Sequence, residues 1–175
     1  MTKPVLHTER LTLRLPLQAD WPAVRAFLCS ERSAYVGGPM EDENAAWRAF
    51  LASAGHWTMK GFGYFTVLHN DAPVGRVGIV EHPAWDEPEL GWQLFDGFEG
   101  QGYVTEAATA VRDWAYGTLR MGPLISYIHP DNIASQRVAQ RLGAQVERET
   151  TLLGGPAQVW RHPSDDDDGN PEAYA

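Results

Sequence analysis

Residues 89–107 read Glu89-Leu-Gly-Trp-Gln-Leu-Phe-Asp-Gly-Phe-Glu-Gly-Gln-Gly-Tyr-Val-Thr-Glu-Ala107. An apolar, aromatic run of strand character (89–95) enters a glycine-rich segment (97–102), and a helix follows over about 104–116. Ala107, Ala110, Val111 and Trp114 make the apolar face of that helix. A helix start of this kind carries unpaired N–H donors and the positive end of the helix dipole. Gly100 and Gly102 lack Cβ atoms, so a phosphate group can approach the backbone closely, and the Thr105 hydroxyl stands in the first turn. Glycines at 97, 100 and 102 are spaced three then two, the reverse of the dinucleotide-binding order, and no Gly-Lys-Ser/Thr follows. A glycine-rich turn without a ligand is the plain alternative.

Outward from this stretch the chain alternates helices and strands. Before it, Leu11, Leu13 and Leu15 alternate with polar residues as a half-buried strand. Asp20 reads as the N-cap of a short helix with Trp21, Val24 and Leu28 on one face. Residues 35–40 read as a loop, and 42–54 as a second helix whose stripe is Trp47, Phe50, Leu51 and Ala54. Residues 63–68 and 74–80 form a hairpin around Asn70-Asp71. After the glycine segment, 124–128 is a strand and His129-Pro130-Asp131 breaks it. A helix over 132–142 is capped by Asn132 and closed by Gly143, with Ala134, Val138 and Leu142 as its buried face. Strands over 145–151 and 158–161 complete the pattern. The expected fold class is α/β (α+β): one domain over 1–162, with a central, mostly antiparallel mixed sheet and helices on both faces. Residues 163–175 read as an acidic, disordered tail.

The chain has 175 residues, enough for one packed core. Its formal net charge is −9, but Asp165, Asp166, Asp167, Asp168 and Glu172 account for five of the acids, which leaves −4 elsewhere. An acidic body argues against a nucleic-acid partner and is compatible with a cationic acceptor. Cys29 is the one cysteine, so no intrachain disulfide forms, and it reads as a small packed hydrophobe. No signal peptide or membrane span is legible, so a cytoplasmic protein without membrane partners is expected. The six histidines show no ligand spacing with a nearby carboxylate pattern, and no metal is expected.

A second motif is His129-Pro-Asp-Asn132-Ile-Ala-Ser135-Gln-Arg-Val-Ala139-Gln-Arg141-Leu-Gly143. By itself it is a strand exit and a capped amphipathic helix. Taken with the glycine segment, and with Thr8-Glu-Arg-Leu-Thr-Leu-Arg-Leu-Pro16, it resembles the GNAT superfamily. The closer likeness is to the Rim-type branch, which includes enzymes that acetylate ribosomal-protein N-termini, and it covers about residues 8–162. The resemblance implies a sheet splayed between its fourth and fifth strands (89–95 and 124–128). It also implies an acetyl-CoA-dependent N-acyltransferase that moves acetyl to a primary amine, small-molecule or peptide N-terminus, by direct attack in a ternary complex.

The resemblance also implies site residues. Backbone groups of Trp92, Gln93, Leu94 and Phe95 would pair with pantetheine. The amides of Gln101, Gly102, Tyr103 and Val104 would hold the pyrophosphate. Asn132 would position the pantetheine and Ser135 would hydrogen-bond the leaving sulfur. Glu89 is the first candidate for the general base, with Glu81 and His82 as alternatives. Three positions depart from the family pattern: Glu99 and Val104 in the loop, and Ala139 where many members carry a Tyr proton donor. Ala139 keeps open a non-catalytic acyl-CoA-binding module on the same fold. Glu106 reads as a carboxylate that stabilises the helix start. Trp57, Trp85 and Trp92 are either core or acceptor-pocket lining, and Arg137 and Arg141 either reach a CoA phosphate or are solvated. Many relatives dimerise, so a homodimer is compatible with the chain.

Overall fold

Leu13, Phe65, Val77 and Leu90 stand on four neighbouring strands and are almost wholly withdrawn from solvent in the computed structural model, which describes residues 3–164. Eight strands make one sheet: β1 (Leu6–His7), β2 (Thr12–Arg14), β3 (Tyr64–His69), β4 (Ala72–Val80), β5 (Glu89–Leu94), β6 (Ile125–Ile128), β7 (Gln145–Leu152) and β8 (Gly155–Arg161). Their spatial order is β1-β2-β3-β4-β5-β6-β8-β7. Every neighbouring pair is antiparallel except β5 and β6. Two-residue β1 is too short to show alternation, so the strands expected as fourth and fifth are β5 and β6. Asn70 and Asp71 both adopt positive φ (49° and 64°), the conformation a tight hairpin turn requires.

Among the described residues four α-helices accompany the sheet: α1 (Trp21–Leu28), α2 (Glu43–Lys60), α3 (Tyr103–Trp114) and α4 (Ile133–Arg141). No proline interrupts α2, so it runs six residues beyond the expected end and stops at Gly61, at φ 78°. Its buried positions are Ala46, Phe50 and Trp57, whereas Leu51 of the expected stripe is exposed. In α4 the buried residues are Ala139 and the following Leu142, with Val138 partly buried. Ala134 faces solvent, so the buried face is turned by one residue from the expected one. Cys29 is also exposed, because it caps the C-terminus of α1 where the chain leaves the core. The acidic segment from Asp165 onward lies outside the described residues.

The two faces of the sheet differ in chemistry. One face packs Phe65, Val67, Val77, Ile79 and Leu90 against Ala107, Ala108 and Val111 of α3. Each large side chain buried there contributes about 1.5–3 kcal/mol. The opposite face carries a polar row in direct cross-strand register: Arg14 opposite Thr66, Thr66 opposite Arg76, and Arg76 opposite Gln93. Asp20, just before α1, binds this row from above. It accepts from Arg14 (2.7 and 2.8 Å), from Thr66 Oγ1 (2.7 Å) and from the Leu17 N–H (2.9 Å). Asp20 is the residue before α1, as expected, but its carboxylate makes no cap bond because it serves the sheet instead. Arg76 donates to Gln93 Oε1 (3.1 Å) and to Ser53 of α2 (3.4 Å). α1 and α2 thereby cover the polar face, and alternation along each strand separates the two faces.

Candidate active site

β5 and β6 share a single register pair, Glu89 opposite Ile125, and then part. A sheet that forks leaves backbone donors and acceptors without ladder partners, and buried ones need substitutes. Three side chains supply them. Glu89 Oε1 accepts from the Tyr127 N–H (3.0 Å), and Ser126 Oγ donates to the Leu90 carbonyl (2.6 Å). His162 Nε2 lies 2.9 Å from the same Ser126 oxygen. A hydroxyl has one hydrogen, here given to Leu90, so the hydrogen-bond network assigns the imidazole proton to Nε2. Nδ1 of His162 then lacks a partner among the described residues. Burial, with the Arg112 and Arg161 cations nearby, pushes the His162 pKa down to about 4, so the ring is neutral near pH 7.

A cavity of about 420 Å³ opens at the fork. Glu89, Trp92, Gln93, Asn132 and Ser135 all line it, together with Tyr64, His82 and Trp85. Glu89 is the buried acid of the site, and burial pushes its pKa up to about 7 against the opposing Tyr127 N–H. Glu81 is not in the lining and pairs with Lys60 at 3.2 Å. His82 lies in the lining, its pKa lowered by burial and by His56.

Asn132 caps α4: its side-chain oxygen accepts from the Ser135 N–H (3.2 Å) and is thereby committed. Ser135 Oγ accepts from Trp92 Nε1 (3.1 Å), which leaves the hydroxyl hydrogen free for another acceptor. Ala139 packs with Ile128, Ala144 and Trp160, so Ser135, one turn earlier, is the α4 side chain at the cavity. Trp57 is core.

From Glu89 to Leu94, at ~3.3 Å per residue, β5 spans about 17 Å. It leads from the fork to the glycine loop. Phe95, just past it, commits its N–H to the Val74 carbonyl (2.9 Å), and by antiparallel alternation Gln93, opposite Arg76, also turns its backbone groups to β4, so of the four residues expected to pair with pantetheine Trp92 and Leu94 face the fork. The Leu94 carbonyl accepts from Arg32 (3.2 and 3.3 Å). Gly97, Gly100 and Gly102 adopt φ 86°, 74° and 76°, a conformation for which only glycine carries no penalty. Gly102 is the N-cap of α3, and no side chain caps it. The first amides of α3 therefore remain available to an anion. The Tyr103 and Val104 side chains are buried in the protein, so Val104 offers its amide without narrowing the approach. Glu99 turns outward to Arg32 and the Gly97 N–H.

Glu106 is fully engaged, accepting from Thr8 Oγ1 (2.6 Å) and from the Arg10 backbone N–H (3.0 Å) and Nε (2.7 Å). Arg10 also donates to the Gln101 carbonyl (3.0 Å), which ties the loop to the start of the sheet. The sequence reading missed Arg10, Ser126 and His162. Each acts through a partner distant in the chain, so no local spacing marks it. Arg137 and Arg141 are exposed on α4. No helix among the described residues is long and apolar enough to cross a membrane.

Comparison with known proteins agrees with this arrangement. Residues 10–145 match the family model described as the acetyltransferase (GNAT) domain. The chain is similar to a crystal structure of an acetyltransferase from Agrobacterium tumefaciens, at 38% identity, 94% and 96% coverage of the two chains and a TM-score of 0.86. It is 25% identical to the uncharacterised N-acetyltransferase YnaD of Bacillus subtilis, over 81% of this chain and 83% of that one. It shares its fold with RimL, a ribosomal L7/L12 alpha-N-protein acetyltransferase solved with coenzyme A, at 16% identity, 94% and 100% coverage and a TM-score of 0.77. The forked sheet, the uncapped glycine-led helix and the match over most of the chain lead to one conclusion: the chain belongs to the GNAT acetyltransferase family.

Proposed function

We propose that the protein transfers an acetyl group from acetyl-CoA to a primary amine by direct attack within a ternary complex. The observation that carries this reading is Glu89, a carboxylate buried at the fork with its pKa raised to about 7, in the cavity that Ser135 also lines. An alkyl amine has a pKa of about 10 and arrives as the ammonium ion. Glu89, ionised above about pH 7, accepts that proton directly or through water. The free amine attacks the thioester carbonyl carbon, so the C–N bond forms and the C–S bond breaks. The amide nitrogen gives its extra proton to the departing thiolate, directly or through water, while the Ser135 hydroxyl, whose hydrogen the Trp92 contact leaves unused, donates a hydrogen bond to that sulfur.

Acetyl-CoA fits the residues at hand as the second substrate. The amides of Gln101, Gly102, Tyr103 and Val104, with the Thr105 hydroxyl, would hold its pyrophosphate. The open edge of β5, at the backbone groups of Trp92 and Leu94, would pair with pantetheine. The Asn132 amide nitrogen would face the same arm. Holding both reactants converts a bimolecular step into an effectively unimolecular one. The RimL acceptor, an alpha-amino group, belongs to the same chemical class.

Initial rates of thiol release, with acetyl-CoA and amine both varied, test this reading. Intersecting reciprocal plots and no acetylated protein by mass spectrometry are expected. Parallel plots with a covalent acetyl-protein would contradict direct attack.

A further inference from the structure

We propose that the acceptor is a small primary amine on an aromatic or apolar body that carries no carboxylate. This rests on the acetyltransferase reading above and names the substrate class of the same site. Among the cavity's lining residues Glu89 is the one Asp, Glu, Lys or Arg. An acceptor carboxylate, as in a free amino acid, would be desolvated there without a counter-ion. Arg76, the buried cation on this face, is already held by Gln93 and Ser53, with its guanidinium over the Tyr64 ring at 4.9 Å. A polyamine would place one ammonium at Glu89 and find no second carboxylate for the next.

The walls are aromatic. His82 and Trp85 pack edge to face at 4.3 Å, and Trp85 and Tyr127 follow at 5.6 Å. The Asp86 N–H donates to the Tyr127 hydroxyl (3.3 Å), which fixes that ring. Tyr35 lies on His129 at 4.9 Å, and both also line the cavity. A lining that holds two aromatic pairs favours a flat apolar body packed against it.

Leu153 is 74% exposed at the β7–β8 turn and holds φ 51°. A leucine is strained in that conformation, and leaving its side chain in water offsets none of the strain. It lines the cavity beside Val36, which is also exposed. A strained, exposed apolar residue at a cavity mouth fits a surface that an apolar ligand covers.

The test uses the full chain, saturating acetyl-CoA and pH 8, and measures thiol release with four acceptors: phenethylamine, phenylalanine, spermidine and a short alanine peptide. The inference predicts kcat/KM for phenethylamine at least about tenfold above the other three. Trp85→Ala and Leu153→Ser, both in loops or turns, should each raise the phenethylamine KM without changing the KM for acetyl-CoA. Equal or better turnover of phenylalanine, spermidine or peptide overturns the inference and leaves the acetyltransferase reading standing. If no amine turns over in protein that binds acetyl-CoA, the acetyltransferase reading fails. Tryptophan fluorescence then decides the pocket separately. Saturable quenching by phenethylamine that is lost in Trp85→Ala supports an aromatic-amine site, and no quenching overturns it.

Discussion

Trp92 on β5 and Ser135 on α4 are joined across the fork: the indole Nε1–H donates to the serine oxygen at 3.1 Å. The bond fixes the serine rotamer and directs its own hydrogen elsewhere. Ser135→Ala should therefore lower kcat by roughly 10- to 100-fold, the range for losing one hydrogen bond to a charged group, with little change in acetyl-CoA affinity. The backbone cap from Asn132 uses the Ser135 N–H and survives the substitution. Trp92→Phe should give a smaller loss of the same kind. An unchanged kcat in Ser135→Ala would reduce the residue to a spacer on α4.

Glu89 links activity to stability through pH. Acting as a base, it makes kcat rise with pH through about 7, and Glu89→Gln should remove that limb with most of the rate. Its folded pKa lies above the ordinary value of 4.5, so the native state holds the proton more tightly than the unfolded chain. Its contribution is thus fully present below about pH 4.5 and is lost as pH rises through about 7. Glu89→Gln, which can still accept from the Tyr127 N–H, should be more stable than wild type at pH 8 by on the order of 3 kcal/mol. Denaturant unfolding at pH 4.5 and pH 8 checks this; a difference that does not grow with pH would contradict the assigned burial.

Gly102 tests the phosphate end. Any side chain there meets the same backbone strain, because φ is 76°. Gly102→Ala is therefore the proper control for Gly102→Trp. The tryptophan variant should bind acetyl-CoA at least about tenfold more weakly than the alanine variant, since only bulk over the amides separates them. Equal affinities would move the pyrophosphate away from α3.

Asp20 holds the polar face. Burial alone would raise its pKa, but the Arg14 guanidinium, the Leu17 N–H and the Thr66 hydroxyl together bring it below the ordinary value. Its stabilisation is present above about pH 3.8 and is lost as pH falls through the lower native value. Asp20→Asn leaves Arg14 without its charge partner and should cost about 3–5 kcal/mol in urea unfolding at pH 7. A loss under ~1 kcal/mol would show that water reaches the pair.

Much of the fold was legible because its signals are local. Three glycines before a helix mark an open N-terminus, Asn132 marks a cap, and Asn70-Asp71 marks a turn. Glu89 and Ser135 were found through family likeness, not through spacing. The fork's own supports were not legible: Ser126 and His162 are 36 residues apart, and their bond exists only once β6 and β8 pair. The row of Arg14, Thr66, Arg76 and Gln93 likewise depends on strand register. In α4, alanines at 134 and 139 weigh alike in any hydrophobic pattern, so only packing against Ile128 and Trp160 chooses between them.

The central claim is an acetyl-CoA site running along β5 from the fork to the head of α3. Calorimetric titration of the folded full chain with acetyl-CoA tests it most directly. The account predicts saturable binding at one site per chain, weakened in Gly102→Trp relative to Gly102→Ala. No binding by a protein shown to be folded would contradict it.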